Sequence, residues 1–247
     1  MNPHLETVVR CLIGGVVRFL YRIKVVQNAP LPEGGFILVP NHLSWGDAVL
    51  LQVATPRRIR FLVDSEIYER KALRPWLHAV GALPISSSRA KDAIRTAAQA
   101  VKRGEIVCIF PEGEISRSGN LLRIQRGFEL IARETQAPVV PVWLDEVWGS
   151  ILSYSGGRYF FKKPKALPYS VTVAFGSALC GGDAVSSVLR ERLMDLGERC
   201  FQDRALLRGH LGRAALKALC RNPGYELLVD GMDGSRLTRG MLLALGL

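Results

Sequence analysis

The chain has 247 residues, 48% of them hydrophobic and 22% charged, which suits one sizeable α/β core and excludes a disordered polymer. No uninterrupted apolar run reaches the roughly 18–20 residues of a spanning helix, and no compact apolar segment precedes a small-residue cleavage site, so neither a transmembrane helix nor a signal peptide is expected. The net charge of +11 draws polyanions, nucleic acid or anionic lipid, without choosing between them.

Residues 4–24 read as an amphipathic helix. Leu5, Val8, Val9, Leu12, Ile13, Val16, Val17 and Leu20 follow the i, i+3, i+4 ladder, with Arg10, Arg18 and Arg22 off the stripe. Such a helix either packs on its own domain or lies in a membrane plane with its arginines among head-group phosphates. Pro30, Pro32 and Gly34-Gly35 then form a turn. Strands are expected at Phe36–Val39, Ile59–Val63, Ala82–Ile85, Ile106–Phe110, Val139–Leu144 and Ser170–Phe175. Helices are expected at Asp47–Val53, Arg70–Ala79, Ala90–Lys102, Ile124–Glu134 and Ala184–Phe201, with Gly104 as a stop after the third. This alternation predicts an α/β fold, a mixed, mainly parallel sheet flanked by helices, with the amphipathic helix at its N-terminus.

From Arg204 to Tyr225 there is no acidic residue, and a basic helix around Leu206–Leu219 is expected. A different pattern follows, with Leu227-Leu228-Val229 and the turn Asp230-Gly231-Met232-Asp233-Gly234. It is too short for a core of its own and reads as the opening of a second domain. The five cysteines, Cys11, Cys108, Cys180, Cys200 and Cys220, are scattered without CxxC pairing, and no His stands at zinc-finger spacing. They are expected to be reduced core thiols with no metal site.

Two segments carry chemistry. Asn41-His42-Leu43-Ser44-Trp45-Gly46-Asp47 follows the strand Phe36–Val39, and ligand sites in α/β sheets collect at the carboxyl ends of strands. His42 is the natural general base near neutral pH. A carboxylate five residues on can bond the far imidazole nitrogen, fixing the tautomer and stabilising the imidazolium. Alone, that spacing also arises by chance. Phe110-Pro111-Glu112-Gly113-Glu114-Ile115-Ser116-Arg117-Ser118-Gly119 follows the strand Ile106–Phe110. It presents a carboxylate, open amides and, in Arg117, a planar fork suited to phosphate oxygens. Read alone, such a segment is more often an ordinary surface turn with a solvated arginine.

Taken together, an NHxSxxD block followed about 70 residues later by an FPEG block resembles the glycerolipid acyltransferases typified by 1-acylglycerol-3-phosphate acyltransferase (PlsC-like). The resemblance covers roughly residues 15–200, with Gly81-Ala82-Leu83-Pro84-Ile85 at the family's second block and Val139-Val140-Pro141-Val142 at its fourth. It implies a glycerol-3-phosphate acyltransferase-like fold and an O-acyltransferase of the HxxxxD type. His42 would act as general base, held by Asp47. Glu112, Gly113, Arg117 and Ser118 would position the acceptor, with Arg89 as a further substrate-binding residue. No cofactor is implied beyond the acyl-ACP or acyl-CoA thioester that serves as donor.

Two departures bear on the acceptor. The family's aromatic-Ile-Asp-Arg block is Pro84-Ile85-Ser86-Ser87 here, with Arg89 two residues on. The common FPEG-Thr-Arg-Ser-Arg-Ser is FPEG-Glu114-Ile115-Ser116-Arg117-Ser118, which keeps one arginine of two. Fewer phosphate-directed arginines favour a phosphodiester head group, hence a lysophospholipid acceptor in phospholipid synthesis or repair. The alternative acceptor is 1-acylglycerol-3-phosphate, giving phosphatidic acid.

The FPEG-x-Ile-Ser variant, Val147-Trp148-Gly149-Ser150 and Ser155-Gly156-Gly157-Arg158 resemble more closely the acyltransferase domain of bacterial 2-acylglycerophosphoethanolamine acyltransferase / acyl-ACP synthetase fusions. That likeness implies three parts: a membrane-surface helix at 1–26, the acyltransferase domain at 27–203, and at 204–247 a basic linker helix with the start of an adenylate-forming ligase domain. Implied partners are membrane lipids, acyl carrier protein or acyl-CoA, and an adenylate-forming acyl-ACP synthetase, with no nucleic acid. The implied location is peripheral, at the cytoplasmic face of the inner membrane.

No GxSxG elbow, GxxxxGK[ST] loop or GxGxxG fingerprint occurs, which argues against serine hydrolysis and nucleotide chemistry. The rival of another class is a non-catalytic basic lipid- or nucleic-acid-binding module built on Arg57-Arg58-Ile59-Arg60 and Lys162-Lys163-Pro164-Lys165.

Overall fold

The structure is a computed structural model, and it describes residues 14–70, 77, 82–85, 90–160, 162–164, 166–204 and 211–245. A helix over residues 14–20 (α1) leads directly into strand β1, Tyr21–Gln27. The helix expected through residue 24 therefore stops at 20. Tyr21, Ile23 and Val25 alternate with polar residues, and the segment pairs in parallel with β7 from Tyr21↔Tyr169 to Gln27↔Phe175. A period-2 pattern beside an open strand edge wins over the helical ladder. Residues 1–13, which carry most of that ladder, lie outside the described residues.

Seven strands form one sheet in the order β1-β7-β6-β2-β5-β3-β4. The others are β2 (Phe36–Pro40), β3 (Ile59–Asp64), β4 (Leu83–Ile85), β5 (Ile106–Cys108), β6 (Val139–Asp145) and β7 (Tyr169–Phe175). All neighbours run parallel except β6 and β7. The helices of this unit are α2 (Asp47–Ala54), α3 (Ser65–Tyr68), α4 (Ala90–Lys102), α5 (Gly127–Thr135) and α6 (Ser186–Gln202). The helix expected at Arg70–Ala79 falls almost wholly outside the described residues.

Strand β2 is central, and Phe36, Ile37, Leu38 and Val39 are fully buried. Its side chains alternate between two cores. Phe36 and Leu38 join Leu50, Leu51, Ile59, Val142 and Val173 on one face, while Ile37 and Val39 join Ala97, Val101, Phe128, Ile131 and Leu189 on the other. Burial on both faces explains why β2 reads as an unbroken apolar run. Arg57 donates to the carbonyls of Pro32, Gly34 and Gly104 at 3.0, 2.8 and 2.6 Å and lies over the Phe36 ring. Arg60 pairs with Glu105 at 3.0 Å. The basic cluster at 57–60 therefore fastens the ends of β2 and β5 instead of forming a free basic face. Two cysteines also differ from expectation: Cys108 and Cys200 are buried, but Cys180 and Cys220 are exposed thiols.

Packing divides the chain after Cys200. In the second unit, helix α7 (Leu211–Cys220) precedes an antiparallel hairpin of β8 (Glu226–Val229) and β9 (Arg236–Thr238), then α8 (Arg239–Ala244). The Asp230 and Asp233 carboxylates accept the Met232 and Ser235 amides and shape the hairpin turn. Thr238 caps α8 by accepting the Met241 amide. Leu227, Leu228 and Val229 are all exposed.

At the start of β2, a Cβ on Gly35 would fall inside the Val101 carbonyl oxygen and 2.8 Å from its carbon. Both are backbone atoms at the end of α4 and cannot swing aside. Gly35→Ala is therefore expected to destabilise the protein by about 1–3 kcal/mol, read as a lower urea midpoint with unchanged slope.

Candidate active site

Strands β2, β5 and β6 are parallel neighbours, so their carboxyl ends emerge along one edge of the sheet. Beyond β2 stands Asn41, almost fully buried. Its amide nitrogen donates to the Leu144 carbonyl at 3.2 Å and its oxygen accepts the Leu144 amide at 2.7 Å. The side chain thus continues the β2–β6 ladder by one residue and fixes where His42 leaves the sheet.

The His42–Asp47 loop is organised around a carboxylate. Asp47, fully buried as the first residue of α2, accepts the Leu43 and Ser44 amides on Oδ2 at 2.6 and 2.9 Å and the Ser44 hydroxyl on Oδ1 at 2.6 Å. Ser44 Oγ in turn accepts the Gly46 amide at 3.1 Å. Its remaining partner is His42 Nδ1, 2.9 Å from Oδ2. A carboxylate only accepts, so Nδ1 is the donor in this contact, and in a neutral imidazole the lone pair then lies on Nε2. The imidazole stacks on Phe110 with ring centroids 3.9 Å apart, and it is partly exposed.

The FPEG loop meets this from the neighbouring strand. Glu112 Oε1 accepts the His42 amide at 2.6 Å and Oε2 accepts the Leu122 amide at 2.7 Å. The Ser116 amide donates to the His42 carbonyl at 2.9 Å. Both peptide groups of His42 are therefore bound by the FPEG loop. Glu112 is buried with both oxygens on main-chain amides, so it braces the histidine where an acceptor-binding role was expected. Burial pushes its carboxyl above the ordinary 4.5, against the pull of the Leu122 and His42 amides. Gly113 takes φ +77°, and its amide donates to the Phe110 carbonyl at 3.2 Å.

Arg117 is exposed, with its guanidinium 5.6 Å from the Tyr154 ring centroid. Ser118 is exposed and its hydroxyl accepts the Asn120 amide at 3.3 Å. Ile115, at the position of the family's first arginine, points into the core. Arg89 lies outside the described residues. His42, Asp47, Glu112 and Ser116 are thus directly bonded, and Arg117 and Ser118 stand on the same loop. Sequence reasoning did not assign the parts played by Asn41, Ser44 and Phe110. All three stand inside or next to the two motifs, and only neighbouring strands reveal what they touch. Burial raises the Cys108 thiol well above its ordinary range, Asp47 adding to the effect, so it is no nucleophile. Among the described residues, no cluster of three His, Cys, Asp or Glu side chains could hold a metal, and no helix is long and apolar enough to cross a membrane.

The chain is similar to known proteins in sequence and in fold. Residues 22–145 match the model of the family described as Acyltransferase. A 1-acyl-sn-glycerol-3-phosphate acyltransferase of Bacillus subtilis is 29% identical over 183 residues, 73% of this chain and 85% of the relative. The human 1-acyl-sn-glycerol-3-phosphate acyltransferase alpha is 29% identical over 136 residues, 51% of this chain but 47% of the relative. The crystal structure of the 1-acyl-sn-glycerophosphate acyltransferase PlsC from Thermotoga maritima superposes with a TM-score of 0.60 at 22% identity, covering 83% of this chain and 85% of that one. It shares the fold.

The raised carboxyl of Glu112 sets a testable sign. A carboxylate whose folded pKa exceeds its unfolded value stabilises the protein most below the unfolded value, and that contribution is lost as pH rises through the folded one. Glu112→Gln is expected to remove this fall in stability above pH 4.5. It should also lower stability by about 1–3 kcal/mol, because a single amide oxygen cannot serve both buried N–H groups. Urea midpoints measured against pH for both proteins check both effects.

Proposed function

The chain belongs to the Acyltransferase family, among its PlsC-like glycerolipid members, and on that premise we propose that it transfers a fatty acyl group from a thioester to the free hydroxyl of 1-acylglycerol-3-phosphate. The observation that carries the chemistry is the 2.9 Å contact of His42 Nδ1 with a buried Asp47, which leaves Nε2 as the free base. The relatives named as 1-acyl-sn-glycerol-3-phosphate acyltransferases support the acceptor.

In this mechanism the acceptor hydroxyl gives its proton to His42 Nε2 as its oxygen bonds to the thioester carbonyl carbon. The imidazolium is stabilised by Asp47, which needs no reorganisation because its other donors already hold it. The tetrahedral intermediate collapses with cleavage of the carbon–sulfur bond, and the imidazolium proton passes to the departing thiolate. The products are the diacyl lipid and the free thiol of coenzyme A or acyl carrier protein. Arg117 takes the acceptor phosphate.

A second acceptor, a lysophospholipid with a phosphodiester head group, is favoured by one observation. Ile115 fills a buried position where the family pattern carries an arginine, leaving Arg117 as the arginine of this block.

An exposed face of α1 supports a reaction at a lipid surface. Val16 and Phe19 are exposed on α1 with Arg18 between them, an apolar pair and a cation suited to the boundary between acyl chains and phosphates. The proposed location is peripheral, at the cytoplasmic face of the membrane.

Transfer from acyl carrier protein and coenzyme A thioesters to 1-acylglycerol-3-phosphate and to lysophosphatidylethanolamine on vesicles tests these readings. His42→Ala and Asp47→Asn should lower kcat by about 10²–10⁴-fold with vesicle binding intact. Retention of activity in His42→Ala would overturn the mechanism, and preference for lysophosphatidylethanolamine would select the second acceptor. Phe19→Ser should weaken vesicle binding without changing transfer to a detergent-dispersed acceptor.

A further inference from the structure

The segment after β6 emerges at the same sheet edge as the two catalytic loops and touches both. The Trp45 amide donates to the Leu152 carbonyl at 3.2 Å, and Ser44 and Ser153 form an antiparallel bridge. On the other side, Trp148 lies so close to Gly119 that a Cβ there would be 2.7 Å from the indole, and Tyr154 sits under Arg117. Trp45, Tyr154, Tyr159 and Phe160 pack ring against ring between these contacts. The segment is a strap binding the His42–Asp47 loop to the FPEG loop.

What holds the strap is an ammonium group. Lys162 Nζ donates to the carbonyls of Ser150, at 2.9 Å, Ser153, and Ser155, at 3.3 Å. Three carbonyl dipoles aimed at one point repel each other unless a cation fills it, and an ammonium group brings both the charge and the N–H donors they need. One of these carbonyls belongs to Ser153, the residue that bridges Ser44 and follows Leu152, whose carbonyl accepts the Trp45 amide.

We propose that Lys162 is a positioning residue for the transfer reaction, its ammonium locking the 147–160 strap and through it the placement of the His42–Asp47 loop against Arg117. The geometry is independent of the acceptor, but the consequence for rate rests on the function proposed above. A sub-ångström loosening between the base and the phosphate-binding arginine acts on both reacting groups at once, where misplacement of about 1 Å can cost about 10²-fold in rate.

The test compares wild type, Lys162→Met and Lys162→Ala by steady-state transfer and by hydrogen exchange. Lys162→Met should lower kcat about tenfold or more, with a smaller change in thioester KM. Exchange at 44–46 and 150–155 should accelerate while 36–39 stays protected. Propylammonium, which matches the atoms deleted in Lys162→Ala, should restore activity and protection in that variant and leave wild type unaffected. Wild-type kcat in Lys162→Met, or lost activity with unchanged exchange at 44–46, would overturn the proposal. If the Met variant loses protection throughout, rescue of Lys162→Ala by propylammonium supports the lock and its absence rejects it. The exchange measurements need no turnover, so a wild type inactive on every acceptor would sink the proposed function while still judging Lys162.

Discussion

A buried carboxylate has to be surrounded by donors, and Asp47 meets that requirement within a loop of six residues. Two amides, a hydroxyl and an imidazole converge on it. Removing the charge from water without these partners would cost several kcal/mol, so the loop can close only in the shape that supplies them. That shape is also the one that turns the free imidazole nitrogen outward. The HxxxxD spacing follows from it: the chain needs this length to bring its own amides and the ring to one carboxylate at the first turn of a helix.

The second requirement is that two motifs 70 residues apart share one site. The sheet order meets it, because β2 lies between β5 and β6 and all three run the same way. Glu112, the Ser116 amide and the Leu144 peptide then reach His42 and Asn41 from adjacent strand ends. The FPEG carboxylate is mechanically part of the histidine loop. It holds the His42 and Leu122 amides, while the Arg117 guanidinium on the same loop is exposed.

Much of this was legible from residue patterns, and the exceptions have physical reasons. The mainly parallel sheet followed from apolar runs alternating with helical periods, and His42 and Asp47 from their motif. Strand β1 was not legible, since Tyr21, Ile23 and Val25 extend a helical ladder as easily as they alternate, and only the open edge of β7 decides the matter. The bracing role of Glu112 was hidden because its partner amides belong to other segments. Arg57, Arg60 and Lys162 read as surface charge from composition, yet each is engaged with carbonyls or a carboxylate inside the fold. That weakens the picture of a purely basic binding module, because the two clusters it would use help hold the sheet ends and the strap together.

Because strand adjacency sets the distance between the two motifs, the length of chain between them is free to vary. Extra residues in a connection whose side chains hold no other segment would add only the slowly growing entropy of a longer loop. One residue added between His42 and Asp47 would instead pull the ring off its carboxylate. The fold therefore separates a stretch where lineages can insert whole elements from a six-residue stretch where they cannot insert one. Relatives of very different length can keep the same chemistry for that reason.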